Sequence, residues 1–235
     1  MRREIAGVLF VLMIFGLTVG TSAQDGGSGQ ELTIEELYLQ NAEIRIIREQ
    51  AISADRDMKL SALENIQSML DEGKISSGSP EAHFVLDYLS AEGSNREVRE
   101  NKRVVNYYPE VRRRAVNLLG QLGGENAKTS LVAVLSTDIE PMVMAEAAYA
   151  LGQLGINDNN EVSQTIASSV LSQDVISPDN NFAYASLIAF EKLAESNNGL
   201  NDSSTFEAII RIAQGNYIRK VRVKAVQVLD MLRNY

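Results

Sequence analysis

The sequence predicts an all-α protein in which about five helix pairs stack into an α-solenoid with a right-handed superhelix. The first observation is an internal repeat: residues 109–123 read PEVRRRAVNLLGQLG, and residues 141–155 read PMVMAEAAYALGQLG. The second is that four apolar or small positions recur with the same spacing in five segments. The third is that no segment shows sustained period-two alternation, so we expect no strands. Repeats of this size indicate units that bury their apolar faces by stacking.

The recurring positions define the second helix of each unit. Their steps of four, four and three residues place them on one helix face. The second of the four columns is small, which lets helices approach closely, and we expect Ala147→Leu to over-pack the stack by about 1–3 kcal/mol. Gly120 and Gly152 are predicted to serve the same close approach, because glycine otherwise destabilises a helix by roughly 1 kcal/mol. The columns are Met58, Val111, Val143, Phe182, Val221; Ala62, Ala115, Ala147, Ser186, Ala225; Ile66, Leu119, Leu151, Phe190, Leu229; and Met69, Leu122, Leu154, Leu193, Leu232.

A first helix precedes each second helix, and turn residues separate the units. Thr33 and Glu36 form a capping box at the start of the first of these helices, which we expect to end near Ser53. The remaining first helices are predicted at 80–90, 127–136, 161–172 and 203–214. Glycine and asparagine residues mark the turns between units, at 73, 123–124, 157–160 and 197–199.

The N-terminal residues 1–23 have the pattern of a secretory signal peptide. Two arginines precede an apolar run, and small residues stand just before Gln24, as at a cleavage site. Residues 24–32 are glycine-rich and are predicted to form a flexible spacer, which leaves 33–235 for the solenoid. We therefore expect an exported protein, periplasmic or envelope-associated. The alternative is that the apolar segment stays uncleaved and anchors the chain, which is the only membrane contact that we expect.

Composition restricts the possible functions. The chain has 22 Lys and Arg against 31 Asp and Glu, a net charge of −9, which disfavours nucleic-acid binding because phosphates must be neutralised. It has no cysteine and a single histidine, His83, so thiolate zinc sites and cysteine nucleophiles are excluded. His83 is expected to be a packed or surface residue. No nucleophile elbow or phosphate-binding loop occurs, and residues 157–161 lack the spacing of a calcium loop. We expect a non-catalytic protein without cofactor or metal.

Residues 109–123 and 141–155 resemble HEAT repeats, specifically the short HEAT-like type of phycobilisome lyases. Both carry Pro, Val, Ala and then Leu-Gly-x-Leu-Gly, and the resemblance extends by columns over about residues 33–235. It implies partner binding through the second helices. It also implies a ladder of basic residues that follow the valine and pair with acids in neighbouring turns; Lys59, Arg112 and Arg222 hold that position, whereas Met144 and Ala183 interrupt it.

The resemblance also raises two enzyme classes. A phycobilisome-type lyase would fit the repeat but not the predicted export. A HEAT-like DNA glycosylase would need a basic groove with aromatic side chains, whereas this chain is acidic and has no tryptophan. Both are therefore ranked below a binding function.

Two further columns of the second helices lie opposite the core columns. They read Leu60, Arg113, Ala145, Tyr184, Val223 and Glu64, Asn117, Tyr149, Ile188, Gln227. Several members are apolar or aromatic where solvent is expected, which is typical of a protein-binding surface. The candidates for partner binding are Arg113, Tyr149, Tyr184, Ile188 and Val223. The alternative is that lateral packing buries some of them, in which case Ile188→Asp should cost helix content rather than partner binding alone.

The connector 91–108 is longer than the 2–8 residues usual between helices. It leads into the next helix with many basic residues, so a second hypothesis is a binding module for an anionic ligand, lipid or polymer. Its candidates are Arg96, Arg99, Lys102, Arg103, Tyr107, Tyr108, Arg112 and Arg114. The alternative is a solvated extra helix capped by Ser94 and Glu97. The leading hypothesis remains a protein-interaction scaffold or adaptor whose partner is unknown.

Overall fold

The computed structural model describes residues 34–235, with side chains from residue 42 onward. This part of the chain forms five helix pairs, which we call units 1 to 5. They are α1 (Ile34–Ile52) with α2 (Arg56–Asp71), α3 (Pro80–Ser90) with α4 (Pro109–Leu122), α5 (Gly124–Thr137) with α6 (Pro141–Leu154), α7 (Glu161–Ile176) with α8 (Asn180–Asn197), and α9 (Ser203–Gln214) with α10 (Arg219–Leu232). The predicted all-α solenoid is confirmed. The predicted signal peptide, the spacer and Thr33 lie outside the described residues.

The helices stack in two layers. The second helices pack in series, α2 on α4, α4 on α6, α6 on α8 and α8 on α10, and the first helices pack likewise from α1 to α9. Each first helix also packs on the second helix of its own unit. One face of the stack is therefore built from second helices alone, as in other solenoids. No helix among residues 34–235 is long and apolar enough to cross a membrane.

The predicted core columns lie inside the stack. Every member of the small column is fully buried, including Ser186, and the column led by Ile66 is buried except for the partly exposed Leu229. Met58 is the exception in the first column, with 42% of its surface exposed. The reason is that α2 has no described second helix before it to cover its first turn.

Gly120 and Gly152 allow neighbouring second helices to approach closely, as predicted. A Cβ atom at Gly152 would lie 2.6 Å from Cα of Ala189 in α8, and one at Gly120 would lie 2.8 Å from Cβ of Ala150 in α6. Contacts this short leave no room for a side chain. The two glycines therefore set the spacing between α4, α6 and α8.

The connector between α3 and α4 forms a β-hairpin, so the expectation of no strands is wrong here and the extra helix is not formed. Strands β1 (Arg99–Glu100) and β2 (Arg103–Val104) pair antiparallel. Asn101 and Lys102 between them have φ of 49° and 68°, the geometry of a two-residue hairpin turn. Each strand has two residues, which is too short to produce an alternating pattern.

A buried amide attaches the hairpin to unit 2. Asn106 is 7% exposed, and its Nδ2 donates hydrogen bonds to Glu92 Oε1 at 2.9 Å and to the Arg96 carbonyl at 2.7 Å. The backbone N–H of Val98 donates to Asn106 Oδ1 at 2.7 Å. Gly93 passes so close that a Cβ there would lie 2.1 Å from the Asn106 carbonyl oxygen. The long connector is therefore ordered by its own polar contacts.

Candidate functional site

Three successive second helices form an open groove of about 330 Å³ on their shared face. We call it the second-helix groove. Its walls come from Met142 and Tyr149 of α6, from Tyr184 and Ile188 of α8, and from Lys220 near the start of α10. The groove thus spans units 3, 4 and 5 of the stack.

Small side chains on α6 and α8 leave the floor of the groove open. Ala145 and Ala185 line it, and Ala145 is 8% exposed. These residues project only a methyl group, and the longer side chains of Tyr149 and Tyr184 line the same groove. The floor is apolar, and Glu146 is the acidic residue among the lining side chains.

Three of the five predicted partner-binding residues come together in this groove: Tyr149, Tyr184 and Ile188. Val223 lines a neighbouring depression of about 440 Å³ that Tyr184 also borders. Arg113 lies on α4, outside both. Tyr149 is 40% and Val223 46% exposed, whereas Tyr184 and Ile188 are half-buried. Lateral packing therefore covers part of the predicted face.

Polar contacts hold the walls of the groove in place. Gln153 Nε2 donates a hydrogen bond to Tyr149 Oη at 2.6 Å. The Lys220 ammonium lies 5.1 Å from the centroid of the Tyr184 ring, within cation–π distance. The backbone N–H of Ile218 donates to Asn180 Oδ1 at 2.9 Å, which ties the start of α10 to the start of α8.

Arg112, a candidate of the basic connector, is fully buried and does not face solvent. Its Nε and Nη2 donate to the two carboxylate oxygens of Asp138 at 2.6 and 3.2 Å, and its Nη1 donates to the Glu92 carbonyl at 3.0 Å. Burial lowers the pKa of Arg112, but the bidentate pair with Asp138 outweighs it and the net pKa is raised. Arg112 is therefore a cation of the interior rather than of a basic surface.

The other connector residues are mostly paired as well. Exposed Arg96, Arg99 and the partly exposed Arg114 form ion pairs with Asp87, Glu97 and Glu64. Lys102 and Arg103, at the hairpin tip, form no ion pair within residues 42–235. Glu100 is the residue directly opposite Arg103 in the hairpin, so an opposite charge lies across the strands from it.

Of the two connector tyrosines, Tyr107 contacts the turn between α5 and α6 of unit 3, and Tyr108 is partly buried. Tyr107 is 42% exposed, and its hydroxyl donates to Glu140 Oε2 at 3.2 Å. Its ring centroid lies 4.9 Å from Cζ of Arg112, and Tyr108 is half-buried. Tyr107 therefore keeps part of its surface exposed while its hydroxyl is bonded to unit 3.

Lys59 and Arg112 form the ladder that the resemblance implies. Lys59 Nζ lies 3.2 Å from Glu92 Oε2 and donates to the Ala51 carbonyl at 3.0 Å. Each cation thus binds a carbonyl at or just after the end of its own first helix and a carboxylate just after the first helix of the next unit. Arg222, the third member, is exposed and forms no ion pair in the described part of the chain.

A second basic region, which was not predicted from the sequence, lies at the start of α10. Arg219, Lys220 and Arg222 are exposed, and none of them forms an ion pair with an acid within residues 42–235. Lys224 is paired with Glu191 at 2.6 Å. The signal is the run RKVRVK at 219–224, from which only the buried column, Arg222 of the ladder and the candidate Val223 were predicted.

His83 is buried in α3, and its Nε2 lies 2.9 Å from the Ser77 carbonyl. Its Nδ1 has no hydrogen-bond partner among the described residues. No group of three or more histidine or acidic side chains placed to hold a metal occurs in the part of the chain that the structure describes.

Among known protein families, the model for HEAT repeats matches residues 104–177. This span begins in strand β2 and contains the second helix of unit 2, both helices of unit 3 and the first helix of unit 4. It contains both segments on which the resemblance was based. No curated protein matches the chain.

Proposed function

This chain is a HEAT-repeat protein, and we propose that it is a non-catalytic scaffold that holds a partner protein in the second-helix groove. HEAT repeats commonly serve as protein-interaction scaffolds. The observation that carries the proposal is the meeting of Tyr149, Tyr184 and Ile188 in one groove across two units. Partly exposed aromatic and aliphatic side chains are typical anchors of protein interfaces.

The shape of the site supports a protein partner. Its volume of about 330 Å³ is at the lower end of the roughly 300–1,000 Å³ of small-molecule pockets. The groove is open, so a bound small molecule would keep much of its surface in water. A side chain projecting from a larger partner suits this shape better, since the partner gains further contacts on both sides.

We also propose that the protein is exported and works in the periplasm or at the envelope. The support is the pattern of residues 1–23, and N-terminal sequencing of the protein from its native cells is the test. A mature chain that starts at Gln24 is expected. A chain that retains Met1 and sediments with membranes would instead show that the segment anchors it.

The partner-binding proposal is tested by crosslinked affinity capture of the tagged protein from its native cells. Tyr149→Asp places a charge on the wall of the groove at a position already 40% exposed, so the fold should survive. Val175→Asp, at an 83% exposed position of α7, is the matched control. A specific protein captured by the parent and the control, and lost with Tyr149→Asp, is the expected result.

Ile188→Asp completes the test, because Ile188 is half-buried. Retained helical signal in circular dichroism together with loss of the partner places Ile188 in the binding surface. Loss of helical signal assigns it to the core. A partner that both groove variants retain would contradict the proposed site.

The second candidate function is anion binding at the connector. Its remaining support is the pair Lys102 and Arg103 at the hairpin tip, which form no ion pair within residues 42–235, although Glu100 lies opposite Arg103. Binding by this surface should weaken strongly with salt, because exposed charges are screened within about 10 Å at 0.1 M ionic strength. A partner lost with Lys102→Glu but indifferent to Tyr149→Asp would favour it.

A further inference from the structure

Helix α10 begins with uncompensated positive charge. Its first six residues include four cations, of which only Lys224 has an acidic partner within residues 42–235. Positive charge is unfavourable at a helix N-terminus, because the macrodipole is positive there. Helices α2, α3, α4, α5 and α7 have an acid in the first turn, whereas α10 has none, like α6, α8 and α9. The arrangement therefore works against the stability of α10 itself.

These cations lie beside the second-helix groove. Lys220 lines the groove and contacts the Tyr184 ring. Arg219 and Lys220 also line the depression that Tyr184 and Val223 share. Arg222 borders the next depression, together with Val223 and Val226, which are 46% and 50% exposed. The apolar surface of the groove thus continues over α10 with cations along it.

The positive charge is confined to the end of this surface that lies on α10. At the other end, on α6, Glu146 lines the groove and accepts a hydrogen bond from Asn117 Nδ2 at 2.8 Å. A uniformly charged polyanion such as a nucleic acid would place negative charge beside this carboxylate as well as beside the cations. A peptide that is apolar at one position and acidic only to one side of it avoids this conflict.

On the basis of the proposed function, we infer that the partner presents an acidic segment to the groove. An aromatic or aliphatic side chain of the segment enters between Tyr149 and Tyr184. Its neighbouring carboxylates meet Arg219, Lys220 and Arg222, which gain the acidic partners that residues 42–235 do not provide. The repulsion between two acidic proteins is screened beyond about 8 Å at physiological ionic strength, so these local contacts decide the choice of partner.

The test is selection of a random dodecapeptide display library on the full chain. Two variants accompany the parent: the triple change Arg219→Gln, Lys220→Gln, Arg222→Gln, and the single change Tyr149→Ser. All four positions are exposed, and the fold of each variant is checked by its melting temperature. The parent should enrich peptides with an aromatic or aliphatic residue flanked on one side by Asp or Glu. A synthetic copy of an enriched peptide should bind the triple variant about tenfold more weakly.

The outcomes separate this inference from the proposed function. Enriched apolar peptides without acids, lost with Tyr149→Ser, overturn the acidic partner and leave the groove as a binding site. No enrichment by the parent overturns both. Binding of a labelled single-stranded DNA through the same cations would overturn the acidic segment in favour of a polyanion.

Discussion

Ser186 is a buried hydroxyl in a column where the other units have alanine. It is fully buried in α8, and its Oγ has no hydrogen-bond partner among the described residues. A buried polar group left unpaired costs about 1–3 kcal/mol. We therefore expect Ser186→Ala to raise the free energy of unfolding by about 1 kcal/mol, measured by urea denaturation.

Ser163 is the matched control for this change. It is equally buried, but its Oγ donates to Asp202 Oδ2 at 2.8 Å. Ser163→Ala should lower the free energy of unfolding, because it removes one partner of a buried hydrogen bond. If both alanine variants shift stability in the same direction, Ser186 is not an unpaired hydroxyl.

Asp202 joins the first helices of units 4 and 5. Its Oδ1 accepts hydrogen bonds from Ser204 Oγ and from the Thr205 N–H, and its Oδ2 accepts from Ser163 Oγ and Thr205 Oγ1, all within 2.7–2.9 Å. Burial raises the pKa of Asp202, but these hydrogen bonds to the carboxylate outweigh it and hold the pKa below its ordinary 3.8. The ionised form therefore stabilises the fold.

This pKa shift predicts a pH-dependent contribution to stability. Because the folded-state pKa is depressed, the contribution is complete above the unfolded-state value and is lost as the pH falls through the folded-state value. Asp202→Asn should be less stable than the parent at neutral pH, and the difference should shrink below the ordinary pKa of 3.8. Thermal denaturation over a range of pH measures it. A difference that is constant with pH would assign the effect to packing.

At the scale of helices, α6 and α8 make the most extensive contact in the described chain. Gly152 permits it, since a Cβ there would lie 2.6 Å from Ala189 Cα and 3.0 Å from Ala189 Cβ. We expect Gly152→Ala to destabilise the protein by about 1–3 kcal/mol through over-packing. Helix propensity alone would favour alanine by roughly 1 kcal/mol. The sign of the change in the free energy of unfolding therefore distinguishes over-packing from helix propensity.

Thr129→Ala serves as the control for propensity. Thr129 is exposed within α5, and its hydroxyl bonds only to the carbonyl of Glu125 in its own helix. This variant should be as stable as the parent or slightly more stable in chemical denaturation. A stabilised Gly152→Ala would mean that α6 and α8 are not held at the observed spacing.

The β-hairpin is the element that the sequence analysis did not find. Its turn residues, Asn101 and Lys102, take positive φ, which is uncommon for residues other than glycine. Its attachment depends on Asn106, which contacts Glu92 and Arg96 from 14 and 10 residues away. Such contacts leave no periodic pattern in the sequence. The charged residues that follow Ser94 are as typical of a capped helix as of a hairpin.

At the scale of the whole molecule, stability is distributed along the stack, because each unit contacts only its neighbours. Helices α4, α6 and α8 have second helices on both sides, and α6 and α8 share the most extensive contact, whereas α10 and α2 have one described second-helix neighbour each. Hydrogen exchange followed by mass spectrometry should therefore show the slowest amide exchange in α6 and α8. Equal protection in all five units would indicate a single cooperative block instead.

The position of the second-helix groove follows from the same arrangement. It lies where the central units meet unit 5, so its apolar walls rest on the most extensively packed helices while its basic end lies on a helix with fewer neighbours. This arrangement suits a partner that inserts one apolar side chain between α6 and α8. The charged groups of the partner can then align with the cations of α10.

The sequence by itself determined the five helix pairs and their buried columns. Helical periodicity and turn residues are local, so α3 and α9 have the predicted boundaries Pro80–Ser90 and Ser203–Gln214. Only the tertiary structure decided which charges and apolar side chains stay available to a partner. Arg112 donates a hydrogen bond to Asp138, 26 residues away, and Tyr149 and Tyr184 line one groove from two different units. Both arrangements depend on how one unit is placed on the next. That placement is set by the packing of whole helices rather than by local sequence.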